Sequence, residues 1–357
     1  MKFIHLTDPH FAPPGKLLYG LEPRAGLDAA VADINAHHAD ADLAVVTGDL
    51  THWGEPRAFE NLADSLRPLK MPVQLLIGNH DHRETFRAHF PGQGADPNGF
   101  VQSALETEAG LFLFLDTVKA GASAGEYCDK RCAWLAETLA AAPKDRPVYL
   151  FMHHPPFATG VPAADRIGLL QPEGFHAAVS PHLGRIRHLF FGHVHRPMCG
   201  SWRGVPFSTL RGTSHQVWLD FESDALYGSH EPPAYGVVLV DGDCLVVHSH
   251  DFRDASPKFK LHGGPYDDWC NRERARAEQV PAALPFPAGA GYKPRHDTHR
   301  DNITDCLHAV RRRPAGLFRP GDALARPFSI RPRPGRTAWS AFFVPHTPSP
   351  QRRETRP

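Results

Sequence analysis

The chain has 357 residues, of which 41% are hydrophobic, 22% charged and 10% aromatic, enough to bury one large core or two smaller ones. The apolar fraction is ordinary and no heptad or triplet period runs through the sequence, which excludes coiled-coil, collagen-like and wholly disordered chains. The formal net charge of zero is unevenly spread: from Pro281 to Pro357, 13 Arg and one Lys stand against five acidic residues, so this stretch is net +9 and residues 1–280 are net −9.

Lys2–Thr7 is a short apolar run of strand type, and Arg24–His37 follows with Leu27, Ala30, Val31 and Ile34 at helical spacing. The cycle then repeats. Leu43–Thr47 predicts a strand, Pro56–Leu69 a helix with Phe59, Leu62, Ala63 and Leu66 on one face, and Val73–Ile77 a strand. Beyond a polar Gly/Pro loop at 91–99, Leu111–Leu115 predicts a strand, Lys130–Ala141 a helix, and Val148–Met152 and His188–Phe191 two further strands. Strands separated by helices imply right-handed crossovers and a largely parallel, buried sheet. From about Pro206 the helices stop. Phe207–Leu210, Gln216–Phe221, Gly236–Val240 and Cys244–His250 come in succession, with Asp241-Gly242-Asp243 as a hairpin signal. These late strands are expected to form a second, mostly antiparallel sheet packed on the first, making an α/β sandwich.

Every periodic element precedes residue 260. Residues 1–260 are therefore read as the folded domain, 261–280 as a boundary segment, and 281–357, with 13 of the 35 prolines, as a disordered Pro/Arg-rich tail. Polyanion binding and a non-functional extension both fit the tail. Met1 to His10 shows no basic segment followed by a signal-length apolar run, and no apolar stretch approaches the about 18 residues of a membrane span, so a cytoplasmic protein without membrane contact is expected. Six scattered cysteines suit a reducing compartment, and Cys128 with Cys132 lack the second pair of a zinc clip. Trp202, Phe207, Trp218 and Tyr227 suit either a homodimer contact or the core of the second sheet.

Histidine is the unusual residue, at 24, and it is the commonest transition-metal ligand. Five strand candidates end in potential ligands: Asp8 and His10; Asp49; Asn79, His80 and Asp81; His153 and His154; and His193 and His195. In an open α/β sheet the carboxyl ends of the strands share one rim, so these side chains can converge. The glycines at 48, 78 and 192 are expected to let the backbone turn sharply at that rim.

The set Asp8-Pro9-His10, Gly48-Asp49, Gly78-Asn79-His80-Asp81, His153 and Gly192-His193-Val194-His195 resembles the calcineurin-like metallophosphoesterase superfamily. Met152-His153-His154-Pro155-Pro156 and Arg211-Gly212-Thr213-Ser214-His215 are similar to class III cyclic nucleotide phosphodiesterases and bacterial glycerophosphodiesterases. The resemblance spans about residues 1–255 and implies a four-layer α/β sandwich of two mixed sheets flanked by helices. It also implies two divalent ions bridged by Asp49, one held by Asp8, His10 and His195 and the other by Asn79, His153 and His193, with His154 the rival of its neighbour His153. A carboxylate can bridge ions ~3.5–4 Å apart, and mixed imidazole and oxygen ligation suits Mn, Fe or Zn rather than calcium.

The resemblance puts His80 against the phosphate as the catalytic residue, the alternative being a histidine that only hydrogen-bonds the rim. Asp81 would orient His80 or its loop, and His215 would lie by the rim. His5, His37, His38, His248 and His250 match no motif and are read as surface or packing histidines. Members with an iron(III)–tyrosinate pair carry a tyrosine three residues after the bridging Asp; His52 stands there in this chain, which favours a divalent pair. The implied reaction is hydrolysis of a small phosphodiester, such as a 3′,5′-cyclic nucleotide or a glycerophosphodiester, by attack of a metal-bridging hydroxide on phosphorus. A phosphomonoesterase and a non-catalytic metal-stabilised binding module are the alternatives, and the acidic body argues against nucleic acid.

Overall fold

The computed structural model describes residues 1–261, within which Met1–Ser256 forms one compact unit. The 281–357 tail, and the 261–280 segment apart from its first residue, lie outside the described residues. In chain order the elements begin with β1 (Lys2–Leu6), α1 (Pro23–His37), β2 (Leu43–Thr47), α2 (Pro56–Leu66), β3 (Val73–Leu76) and α3 (Arg83–His89). They continue with β4 (Ser103–Glu106), β5 (Leu111–Phe114), β6 (Gly125–Glu126), α4 (Asp129–Ala141), β7 (Val148–Phe151), α5 (Pro162–Asp165), β8 (Leu169–Leu170), α6 (Glu173–Val179) and β9 (Ile186–Phe190). The last are β10 (Met198–Trp202), β11 (Val205–Thr209), β12 (Gln216–Val217), β13 (Gly228–Ser229), β14 (Tyr235–Asp241) and β15 (Cys244–His250).

Two mixed sheets carry the fold, in the orders β15-β14-β1-β2-β3 and β10-β11-β9-β7-β5-β4. This corrects the expectation of a separate antiparallel sheet. The late strands divide: β14 adds antiparallel to β1 and β15 to β14, while β11 runs parallel to β9 and carries β10 antiparallel beyond it. The physical reason is that each parallel core, β1-β2-β3 and β5-β7-β9, has lateral edges with unpaired backbone groups, and the late strands satisfy the edges at β1 and β9 rather than starting a new sheet. The predicted strand Gln216–Phe221 is realised only as Gln216–Val217 in a small hairpin with β13.

The sheets face each other through an aromatic layer. Phe3 of β1 packs edge-on against Phe112, Phe151 and Phe190 of the other sheet at 5.4, 5.8 and 5.4 Å, and Phe151 stacks on Phe190 at 4.9 Å. All four rings are buried, so truncating one of them costs about 3–5 kcal/mol. Leu27, Val31 and Ile34 of α1 and Phe59 and Leu62 of α2 cover the outer face of the first sheet, and Leu135 and Leu139 of α4 with Phe175 of α6 cover the outer face of the second. Trp202 is buried and Phe207 half-buried in that second cluster, whereas Trp218 and Tyr227 are exposed. Asp116, fully buried beyond β5, accepts two hydrogen bonds from Arg83 of α3 at 2.8 and 3.0 Å and lies 3.7 Å from Arg131 of α4, tying the two halves together. Among the described residues no helix is long and apolar enough to cross a membrane.

Candidate metal centre

β1, β2 and β3 of one sheet and β7 and β9 of the other all run so that their carboxyl ends meet at one rim. Irregular backbone pairing extends past the strands there: His10 N donates to Asp49 O at 2.9 Å, and Gly192 N to His153 O at 3.2 Å. This backbone is strained. Of the eight non-glycine residues with positive φ among the described residues, five are Asp8, His10, Asp49, His193 and His195. Such conformations cost on the order of 1–3 kcal/mol each and persist where the surroundings over-determine them. The glycines work differently from expectation. Only Gly48 of the three has positive φ; a Cβ on Gly78 would lie 2.2 Å from Asp49 Oδ1, and one on Gly192 would lie 2.3 Å from Thr7 Oγ1. A side chain at Gly78 has no room against Asp49 after the neighbouring strand and His153 across the rim, and one at Gly192 has none against Thr7 and Thr47 of the facing sheet.

The seven candidate ligands come together in two groups that share Asp49. Ligand atoms of Asp8, His10, Asp49 and His195 lie within 4.8 Å of one another. Asp49 Oδ2 is 3.4 Å from His10 Nε2, and its Oδ1 is 3.3 Å from His153 Nε2. On that second side Asn79 Oδ1 lies 3.1 Å from His153 Nε2 and 3.0 Å from His193 Nδ1. A carboxylate with one oxygen toward each group is the arrangement a bridging ligand requires.

Partners at the far nitrogens fix the tautomers. His153 Nδ1 lies 2.8 Å from the Thr47 carbonyl and His195 Nδ1 2.8 Å from the His215 carbonyl. A carbonyl can only accept, so both Nδ1 atoms carry a proton and Nε2 is the nitrogen that each ring turns toward the cluster. Neighbouring His154 is engaged at both nitrogens, with Thr117 Oγ1 at 2.8 Å and the Ser123 carbonyl at 3.1 Å, which leaves it no free lone pair. That geometry favours His153 over its rival. His10 Nδ1 meets His52 Nδ1 at 3.1 Å, and His193 Nε2 is buried without a hydrogen-bond partner.

The electrostatics ask for positive charge. Burial depresses His10 well below the usual imidazole range and takes His193 down to about 3, with His153 adding to the effect. Burial also disfavours charge on His153, but the Asp49 and Asp8 carboxylates outweigh it and hold this ring up at about 9. Asp49 is buried too, yet His153 and His10 beside it hold its carboxyl well below the usual range. His10 and His193, kept neutral by burial, beside the ionised Asp49 carboxylate and an amide oxygen form a donor set suited to divalent transition ions. His153, held protonated by the two carboxylates, would give up its Nε2 proton to such an ion, and the 2.9 Å approach of His10 Nε2 to His195 Nε2 fits two ligands aimed at one ion.

His80 stands beside the ligands rather than among them. Its backbone N–H donates to Asp49 Oδ1 at 3.0 Å and its ring Nδ1 to the His52 carbonyl at 2.8 Å, with the half-buried ring 4.8 Å from His10. Asp81 accepts from the backbone N–H groups of Leu50, Thr51 and Gly78 at 2.8–2.9 Å and from Thr51 Oγ1, so it ties the β2 and β3 loops together. Burial and the nearby Asp49 push its carboxyl up to about 6. His215 does reach the rim, 4.8 Å from the His10 ring and 4.7 Å from His195. Sequence reasoning gave His52 only as the residue replacing a tyrosine and missed its contacts, a stacking on His80 at 4.6 Å and the hydrogen bond to His10. His5 is fully buried between the sheets, whereas His37, His248 and His250 are exposed.

Three comparisons bear on this geometry. The sequence profile of the calcineurin-like phosphoesterase family matches residues 1–197. A protein of Rhodopseudomonas palustris named probable cyclic nucleotide phosphodiesterase is 46% identical over 265 residues, covering 73% of this chain and 96% of the relative. The glycerophosphodiester phosphodiesterase of Enterobacter lignolyticus is 31% identical over 255 residues, covering 70% of this chain and 91% of its own. Among solved structures, a purple acid phosphatase from yellow lupin seeds has the same fold, with TM-score 0.53, 12% identity, and coverage of 72% of this chain and 52% of that one. With a family profile over more than half of its length and its rim motifs gathered into one buried two-sided cluster, the chain belongs to the calcineurin-like phosphoesterase family.

Proposed function

We propose that this chain is a phosphodiesterase that hydrolyses small phosphodiesters, 3′,5′-cyclic nucleotides or glycerophosphodiesters, at a pair of divalent ions. The observation that carries this reading is the two-sided Asp49 carboxylate, 3.4 Å from His10 on one side and 3.3 Å from His153 on the other. Asp8, His10 and His195 complete one ligand set, and Asn79, His153 and His193 the other, for Mn, Fe or Zn. Ions bound there supply an acidified water as nucleophile near neutral pH and neutralise the phosphate oxygens.

The chain's own residues do the rest. The Thr47 and His215 carbonyls hold His153 and His195 with Nε2 inward. Asp81 pins the two loops that carry Asp49, Asn79 and His80, which keeps their spacing fixed. With Nδ1 of His80 donating to the His52 carbonyl, Nε2 is the nitrogen left to hold or deliver a proton at the leaving oxygen. The relatives' names, one for cyclic nucleotides and one for glycerophosphodiesters, support a diester rather than a monoester. Turnover of bis(p-nitrophenyl) phosphate against p-nitrophenyl phosphate, with Mn²⁺ and after chelation, tests the reading. Diester turnover that disappears on chelation and returns with Mn²⁺ is expected; preference for the monoester, or turnover indifferent to chelator, overturns it.

A further inference from the structure

Two aromatic rings are held out in solvent against the histidines that surround the metal centre. Tyr19 is 61% exposed and Trp53 54% exposed, and both rings pack edge-on against His52, at 5.7 and 4.6 Å. Tyr19 also meets the His215 ring at 4.6 Å, and His52 in turn stacks on His80. Single exposed aromatics are ordinary. These two share one buried neighbour, and that neighbour touches both a candidate metal ligand and the residue proposed to face the leaving group.

Both rings sit on tight turns that fix their direction. Tyr19 and Gly20 have φ of 49° and 81° between Leu18 and Leu21, which exchange backbone hydrogen bonds at 2.8 and 2.9 Å. Two successive positive φ values make a type I′ turn, where Asn, Asp or Gly is the usual first residue. A tyrosine there is strained, and the strain is held by buried Leu18 and by His230 Nε2, which donates to the Tyr19 carbonyl at 2.9 Å. Trp53 lies between Thr51 and Gly54, whose backbone N–H donates to Thr51 Oγ1 at 3.2 Å. Nothing in the packing of the core requires either ring to be aromatic.

Building on the phosphodiesterase reading, we propose that Tyr19 and Trp53 form a stacking platform for the base of a nucleotide substrate, making cyclic nucleotides rather than glycerophosphodiesters the preferred class. A nucleobase is a flat π-face one sugar away from the phosphate, and the platform is one histidine away from His80. Base–aromatic stacking is tolerant of base identity, so purine and pyrimidine cyclic nucleotides are both accepted. A glycerol headgroup has no face to offer these rings.

The test compares kcat/KM of the Mn²⁺-loaded full chain for 3′,5′-cyclic adenosine monophosphate and for glycerophosphoethanolamine, with adenosine binding measured in parallel by equilibrium dialysis. In Tyr19→Ala and in Trp53→Ala the cyclic-nucleotide to glycerophosphodiester ratio is expected to fall about 5- to 100-fold, chiefly through KM, with a matching rise in the adenosine dissociation constant. Tyr19→Phe and Trp53→Phe, which keep a ring, are expected to retain the ratio and show that the loss is not misfolding. Equal losses on both diesters, or adenosine binding that is absent from the wild type or unchanged in the alanine variants, overturns the platform. Wild-type protein that binds adenosine through these rings yet hydrolyses neither diester overturns the phosphodiesterase reading and leaves the platform standing.

Discussion

The molecule buries histidines in two places, at the carboxyl rim of the strands and between the two sheets. His5 and His188 belong to the second place: His5 Nε2 pairs with Thr47 Oγ1 at 3.0 Å, His188 Nε2 with Ser208 Oγ at 2.9 Å, and both rings pack on Phe190. His10, His153, His193 and His195 belong to the first, on turned backbone with nitrogens aimed at carboxylate, amide or one another. Burial and residue type are the same in both. A histidine between apolar faces with a hydroxyl partner is a packing residue. At the rim the ring nitrogens converge with other donors, and in His153 and His195 the far nitrogen is also fixed by a carbonyl, an arrangement that fits the proposed ligand role.

The largest effect expected from this contrast is at Asp49. Asp49→Asn keeps shape but leaves a single amide oxygen for two ions, so metal content measured by elemental analysis after gel filtration should fall from two equivalents toward none. Activity should fall at least about 10³-fold, since ions at such centres supply several kcal/mol of charge stabilisation. Two retained equivalents would remove Asp49 from the bridging role.

His80 comes next, beside the ligands but outside the set. His80→Ala should keep both ions and lower kcat about 10²- to 10⁴-fold on alkyl diesters, and much less on p-nitrophenyl diesters, whose leaving group departs without a proton. Equal loss on both would indicate charge stabilisation instead, and unchanged rates would end the catalytic assignment. His52→Ala, which removes the partner of His10 Nδ1, should weaken metal affinity about 10- to 100-fold, read by competition with a chromogenic chelator. Unaltered affinity would make that hydrogen bond incidental.

The remaining effect, on the inter-sheet pair, is one of stability and leaves metal and turnover alone. Burial lowers His188 from 6.5 to about 4, and burial with the neighbouring His188 lowers His5 to about 3. The unfolded chain therefore binds protons below pH 6.5 that the native state refuses. The stabilising contribution is full above about 6.5 and is lost as pH falls, down to about 4 for His188 and about 3 for His5, at up to about 1.4 kcal/mol per pH unit for each ring. His188→Gln should flatten the urea stability profile between pH 6.5 and 4 without altering metal content. A metal loss in that variant would blur the distinction between the two regions.

Much of this architecture was legible in the chain itself. Strands β1, β2, β5, β7 and β9 and helices α1, α2 and α4 carry either mainly apolar short runs or helical stripes, and their ends were read within about three residues. Helix α3 escaped because Phe86 is its one buried residue, so no stripe marks it, and edge strand β4 escaped because three of its four residues face solvent. The candidate ligands were legible because each motif is local: a short segment at a strand end places its own side chains at the rim.

What sequence alone determined is therefore the strongly patterned elements and the residues delivered to the rim, since period and motif are properties of consecutive residues. Tertiary structure decided the rest. Which sheet received each late strand depended on which edges were open, and the geometry that favours His153 over His154 depends on carbonyls and hydroxyls far away in the chain, the Thr47 carbonyl being 106 residues from His153. The positions of Tyr19 and Trp53 against His52 were settled in the same way, by turns after β1 and β2 that come together when those two strands pair. At the rim a ring nitrogen's partner is chosen by contacts across the fold, as for His153 and His195, and no local pattern encodes it there.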